Sequence, residues 1–472
     1  MIDHRNAARF VGSPNITKSA GAHARTERTF RRKAGLFSTA LLAAALFATP
    51  ALADENDAVR VWNERAATTL VNGPAALEPG VQFAPPSAFI HLAIVQGAVY
   101  DAVNAIKGGH DPYLPGLKAA TSASRGAAAA TAAHHVLIGL VDQAPLTATL
   151  TASVKAAIKD RLDAEYTSSL SEIAGGEAKN KGIAVGAAAA AAMLANRAND
   201  GRHGAPGFPV GSAPGQWRPV GPGFVNDPGG WVRNVRPFTL PSTDYFRTPG
   251  PWPLNSPQYA ADFNEVKAVG RATGSTRTAE QTALATWSTR HPILMLYEAL
   301  RQVSDARKLA ISEEARLYAM TSMAGADSLI NCFSEKARWS FWRPTTAIQL
   351  ADTDGNDATQ ADPAWTSFLA VPPYSDEPSG ANCVFSGVMN SARAFFGSDA
   401  AAFSLTGAGS TRNYTKFTNV VPDVIEARIF GGLHFRRADV NGAALGRSVA
   451  SYGDRNFFNC RAPGQCKQEE RE

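Results

Sequence analysis

Along residues 87–106, the apolar positions Ile90, Leu92, Ile94, Val95, Val99 and Val103 return at roughly helical spacing, and Gly108-Gly109 ends the run. That periodicity predicts a helix with one face turned to a core. The same reading predicts helices over 58–72, 118–141, 145–165 and 173–199, the last closing on Asn199-Asp200-Gly201. Their alanine-rich faces let backbones approach closely, which favours helix-on-helix packing. Helical patterning resumes at 258–269, 278–303 and 311–331 and continues through the region beyond. Strand signals are weak, with few β-branched alternations and no Asn-Gly or Asp-Gly between apolar runs. The expected fold class is all-α, built of helical bundles with long irregular loops.

Residues 201–257 break this texture. Proline and glycine crowd in, as at Pro206, Gly207, Pro209, Pro214 and Gly215, together with Trp217, Trp231 and Trp252. Three tryptophans predict an ordered cover and not a disordered linker.

Charge changes the picture only once it is located. The 472 residues carry a formal net charge of +5, yet residues 1–53 hold eight Lys/Arg and two acids. The remainder has 38 basic and 39 acidic residues, so no nucleic-acid partner is expected. Arg31-Arg32-Lys33, the apolar run Leu36 to Phe47 and Ala51-Leu52-Ala53 before Asp54 together read as an export leader. Ordinary secretion and twin-arginine export both fit it. The expected destination is periplasmic or extracellular, with no membrane span after leader removal, since no later run reaches about 18 apolar residues. Export favours disulfides among Cys332, Cys383, Cys460 and Cys466. Cys460 and Cys466 are near neighbours, and a Cys332–Cys383 bridge would tie two motif regions together. No CxxC spacing or nearby histidine suggests metal ligation by cysteine. The domain reading is a leader at 1–53, a helical region at 54–330, a catalytic helical region at 331–455 and a polar tail at 456–472.

Three segments carry candidate chemistry. In Lys336-Ala-Arg-Trp-Ser-Phe-Trp-Arg343-Pro344 the two cations are seven residues apart, which on a helix places them on one face. Trp339, Phe341 and Trp342 predict burial, and buried cations call for an anionic partner. Pro378-Ser379-Gly380 opens the next apolar helix, with proline suited to the first turn and glycine letting an anion reach the free amides. Arg428-Ile-Phe-Gly-Gly-Leu-His434 supplies a bidentate guanidinium and, past a glycine turn, one imidazole.

Lys-x6-Arg-Pro, Pro-Ser-Gly and Arg-x5-His in this order resemble the vanadium-dependent haloperoxidase and type-2 phosphatidic acid phosphatase superfamily. The similarity is nearest to its secreted bacterial haloperoxidase-like branch. Softer likeness is seen upstream, at His91 to Ile106, Arg197 to Gly201, Pro214 to Pro219 and Asp362 to Trp365. The resemblance implies two packed four-helix-type bundles with the site in one of them. It implies that Lys336, Arg343 and Arg428 neutralise the oxygens of vanadate, that Ser379 and the Gly380 amide hydrogen-bond the anion, and that His434 is the axial vanadate ligand. The implied activity is halide oxidation by hydrogen peroxide, with a small organic acceptor. The alternatives are an acid phosphatase using phosphate esters and a phosphohistidine at His434, or an oxyanion-binding protein without turnover. Ala381 stands where the family pattern has a histidine. Asp376, Glu377 and His291 are the ionisable candidates for its place, and Asp439 is a candidate to orient His434.

Overall fold

Polar caps decide where some of the helices begin. In this computed structural model, which describes residues 57–72, 80–221 and 223–461, α1 (Ala58–Val71) and α2 (Pro85–Lys107) lie close to expectation. Helix α3 (Arg125–Gln143) starts later than 118, because the Ser124 side chain accepts from Ala127 N–H at 3.1 Å. Helix α4 (Ala152–Ser171) starts later than 145, where Thr151 accepts from Val154 N–H at 3.3 Å. Each hydroxyl satisfies a first-turn amide that the helix itself cannot. Helix α5 (Glu177–Asn196) and α6 (Pro257–Val269) follow. The expected single helix over 278–303 is two, α7 (Ala279–Trp287) and α8 (Pro292–Arg307). Pro292 lacks an amide proton and the His291 ring caps the new start, accepting from Ile293 N–H at 3.3 Å.

Helix α9 (Ile311–Trp339) runs past the expected 331 and ends at Ser340, a left-handed residue with φ 40°. A short α10 (Pro344–Gln349) and α11 (Gly380–Phe395) come next. A hairpin then departs from the all-helical reading. Strands β1 (Ala400–Thr406) and β2 (Thr411–Lys416) pair antiparallel, with Phe403 opposite Tyr414. Phe403 and Leu405 point inward, and the Trp287 indole donates to the Leu405 carbonyl at 3.0 Å. Helices α12 (Val420–Phe430) and α13 (Arg436–Asn456) close the order.

The described residues form one compact unit. Helices α2, α3 and α5 pack together on one side, and α9, α11 and α13 on the other, joined where α2 lies against α9. Helix α2 is long and apolar enough to cross a membrane, but it is buried along nearly its whole length as the central core helix. The leader, with the export reading, and Cys466 lie outside the described residues.

Helix α9 has two working faces. Asp327, Asn331 and Glu335, spaced by four, staple the irregular 201–257 segment. Asp327 accepts from Phe238 N–H and Thr239 N–H, each at 2.7 Å, and from Leu240 N–H at 3.1 Å. Asn331 exchanges two hydrogen bonds with the Phe246 backbone, and Glu335 accepts from Thr248 N–H at 2.8 Å and Arg247 at 2.8 Å. The other face carries Cys332 and Lys336 toward α11. Cys332 and Cys383 are both buried and unbridged, which corrects the expected bridge, whereas Cys460 is disulfide-bonded.

Helices α11 and α13 touch backbone to backbone. A Cβ on Gly446 would lie 2.1 Å from the Cys383 carbonyl oxygen, and one on Gly442 2.5 Å from that of Ser379. Gly446→Ala therefore forces two helices apart at a point where no flexible side chain can yield. The variant is expected to lose about 1–3 kcal/mol of stability, read from the midpoint of chemical denaturation. An unchanged midpoint would contradict this packing.

Candidate functional site

The cations of the first motif do not share one helix face. Lys336 belongs to the last turn of α9, the chain turns at Ser340, and Arg343 is the cap residue before α10. They are brought together by the segment before α11. Lys336 Nζ donates to the carbonyls of Ser375 and Asp376 at 2.7 and 3.0 Å, and Arg343 Nε to that of Tyr374 at 2.7 Å. Both side chains are 0% exposed. The Tyr374 ring packs against the two of them, 4.9 Å from Lys336 Nζ and 5.0 Å from the Arg343 guanidinium. An aromatic face offsets part of the cost of desolvating a cation.

Pro378 also sits differently from expectation. Helix α11 begins at Gly380 with Ser379 as its cap residue, so Pro378 precedes the helix behind a cis peptide bond. The Ser379 amide is tied to the Ala438 carbonyl at 2.9 Å. This leaves the first-turn amides of α11, from Gly380 onward, without a preceding turn to bond. A Cβ on Gly380 would make only ordinary contacts, 3.8 Å from Leu329 and 3.9 Å from Lys336, so the space beside the Lys336 stem is open.

Arg428 lies near the end of α12, Gly432 takes a left-handed φ of 74°, and His434 follows before α13. The glycine turn read from the sequence thus brings the guanidinium and the imidazole to one place. His434 Nδ1 meets Asp376 Oδ1 at 2.8 Å, and Nε2 meets Arg343 Nη1 at 3.1 Å. Arginine has only donors, so Nε2 is the acceptor and Nδ1 carries the proton given to Asp376. Burial, then the fields of Arg343, Lys336 and Arg428, hold the His434 pKa well below its usual value, with Asp376 pulling the other way. Burial pushes Asp376 up to about 7 against the pull of Arg343 and Lys336, and brings Lys336 down to about 8.

Two guanidinium nitrogens of the cradle have no partner among the described residues. Arg343 Nη2 and Arg428 Nε are both buried and unbonded, and among the described residues neither arginine forms an ion pair. Arg428 and His434 line a cavity of about 590 Å³ whose wall also includes Gly380, Ala381, Phe333 and Tyr374. Unsatisfied charged donors beside an open space are what a tetrahedral oxyanion would complete. The donor set fits vanadate or phosphate: guanidinium nitrogens, an ammonium, free helix amides and one neutral imidazole.

The sequence missed Asp376 as the partner of His434. The expected orienter, Asp439, instead accepts from Asn382 Nδ2 at 2.7 Å. Glu377 accepts from Asn441 at 2.7 Å and does not line the cavity, whereas His291 does. Ser379 Oγ accepts from Asn382 at 3.3 Å. Arg436 forms partly exposed ion pairs with Glu265 and Glu426.

Residues 316–457 match the family model described as the VCPO second helical-bundle domain. Among solved structures, the chain is similar to the first bacterial vanadium-dependent iodoperoxidase, with 19% identity, a TM-score of 0.67, and coverage of 86% of this chain and 98% of that one. It is also similar to a bacterial vanadium-dependent chloroperoxidase. The holo form gives 16% identity, a TM-score of 0.63, and coverage of 83% of this chain and 95% of that one. A comparison with curated proteins returns no match. The superfamily resemblance read from the motifs and the helical fold class are both borne out.

Two outcomes follow from the site geometry. The His434 ring stays neutral through the interval near pH 6.5 where an unperturbed histidine titrates, as followed by nitrogen chemical shifts; a midpoint at or above that value would contradict the field described. Asp376→Asn removes the carboxylate that fixes the tautomer and weakens orthovanadate binding by about 10–100-fold, measured by calorimetry.

Proposed function

We propose that this chain is an exported, vanadate-dependent haloperoxidase-like enzyme that oxidises halide with hydrogen peroxide. The observation that carries this reading is the pair of unpartnered, buried guanidinium nitrogens, Arg343 Nη2 and Arg428 Nε, the first on an arginine bonded to His434 and the second on one that lines the cavity with His434. Cations held out of water without a carboxylate partner are costly, and a bound oxyanion would repay that cost. When bound, vanadate would supply a Lewis acid that activates peroxide oxygen.

The chain's own residues would divide the remaining work. Lys336, Arg343 and Arg428 would neutralise the anion's oxygens, and the Gly380 amide would donate at the positive end of α11. Ser379 would add its hydroxyl to the same anion. Asp376 holds the Nδ1 proton of His434, so the Nε2 lone pair is directed away from it and is free to serve as the vanadate ligand once Arg343 turns to the anion. The largely apolar cavity wall would limit water around the reacting oxygen and admit a small organic acceptor. The same cradle would accept phosphate, but a phosphatase needs a proton donor for its leaving group, and Ala381 provides none at the helix start.

The test is bromination of a dye by the mature protein with bromide and peroxide, with and without orthovanadate. We expect vanadate-dependent turnover, abolished in His434→Ala and reduced about 10²–10³-fold in Arg428→Ala. Folded protein that binds vanadate but shows no halogenation would overturn the reading, and hydrolysis of an aryl phosphate through His434 would favour the phosphatase.

A further inference from the structure

The cavity above Ala381 has a second ionisable wall, supplied by the irregular 201–257 segment. Asp227 is 7% exposed and lines the same space as Ala381, Arg428 and His434. Its Oδ1 accepts from Gly229 N–H at 2.7 Å, while its backbone carbonyl accepts from Gly207 N–H at 2.8 Å and Gly230 N–H at 3.2 Å. These bonds fix the side chain in a short turn, a structural task that needs only one carboxyl oxygen. The other, Oδ2, has no hydrogen-bond partner among the described residues and is not fully buried.

The charges of Lys336 and Arg343 act on Asp227. Burial raises its pKa above the ordinary carboxylate range, and the Gly229 amide, then Lys336 and Arg343, draw it back. Its own charge acts in turn on Tyr374, whose ring packs against both cations. The other candidates lack this combination. His291 lines the cavity, but burial lowers it to about 4 and no cradle cation acts on it. Asp376 and Glu377 are engaged by His434 and Asn441 and do not line the cavity.

We propose that Asp227 is the acid–base residue of this site, exchanging a proton with peroxide through Oδ2. The inference rests on the haloperoxidase reading. In the first half, an O–H bond of hydrogen peroxide breaks and its proton passes to Oδ2, leaving hydroperoxide at the oxyanion site. In the second, halide attacks one peroxide oxygen and the O–O bond breaks. Halide loses two electrons, the peroxide oxygens gain them, and Oδ2 returns its proton to the departing oxygen. The products are hypohalous acid and hydroxide, with the Asp227 carboxylate regenerated.

The variant that isolates this role is Asp227→Asn, which keeps Oδ1 as the acceptor for Gly229. We expect kcat/KM for peroxide to fall about 10²–10⁴-fold and to lose the limb that rises with pH as the carboxylate forms, with Asp227→Glu restoring that limb. A second readout needs no turnover. Tungstate is a tetrahedral anion whose charge is constant around neutral pH. Its affinity for the wild type should decline as pH rises through the Asp227 pKa, because a carboxylate then faces the anion alongside Lys336, Arg343, Arg428, Tyr374 and His434. In Asp227→Asn that component should vanish. Active wild type with an unaffected Asp227→Asn, or tungstate affinities with the same pH dependence in both proteins, overturns the proposal alone. A folded wild type inert toward peroxide and halide overturns the parent reading and the proposal with it.

Discussion

Two cations, Lys336 and Arg343, are held entirely out of water, with a third, Arg428, at the wall of an adjoining cavity, and among the described residues no carboxylate pairs with any of them. Everything around the site is arranged to tolerate that. Four backbone carbonyls, those of Ser375, Asp376, Tyr374 and Leu433, accept from Lys336 and Arg343, and the Tyr374 ring faces both. Desolvating each ion costs several kcal/mol, and carbonyl dipoles return only part of it. The pKa of Lys336 at about 8 shows the residual strain on its charged form. A site left this electropositive is stable only because the surrounding packing does not yield, and it gains most when an anion enters.

That packing comes from one helix used on two sides. Toward α11, α9 presents Cys332 and Lys336, and the α11–α13 contact is drawn tight by Gly442 and Gly446. Away from it, Asp327, Asn331 and Glu335 fasten the proline-rich segment through its backbone amides. A segment without regular structure must satisfy its amides somewhere, and here the cradle helix does so. The 238–248 part of the cover and the cradle are thus fixed by different faces of a single element.

Much of this was legible in the sequence. The helical periodicity of 87–106 and the tryptophan-bearing cover can be read from residue spacing and composition, whereas the grouping of Lys336, Arg343, Ser379, Gly380, Arg428 and His434 rested on motif order and the family resemblance it carries. Other features depend on contacts that spacing does not reveal. Ser340 enters the left-handed region without a glycine to signal it, so Lys336 and Arg343 looked like one helix face. Asp376 reaches His434 across 58 positions, a pairing invisible to local pattern. The hairpin had a signal, the alternation of Ala401, Phe403 and Leu405 before Gly407-Ala-Gly409, but its turn lacks the residues usually sought. Cys332 and Cys383 lie on facing helices, so a bridge between the two motif regions was a fair expectation, yet they remain thiols.

The central claim is that the uncompensated cations are a binding site for a tetrahedral oxyanion, and a crystal structure of the mature protein grown with orthovanadate tests it most directly. The account predicts anion density within hydrogen-bonding distance of Arg343 Nη2, Arg428 Nε and the Gly380 amide, with His434 Nε2 facing the metal. An empty cradle in the presence of saturating vanadate, with Arg343 still bonded to His434 and Arg428 unpartnered or paired with a carboxylate, would contradict it.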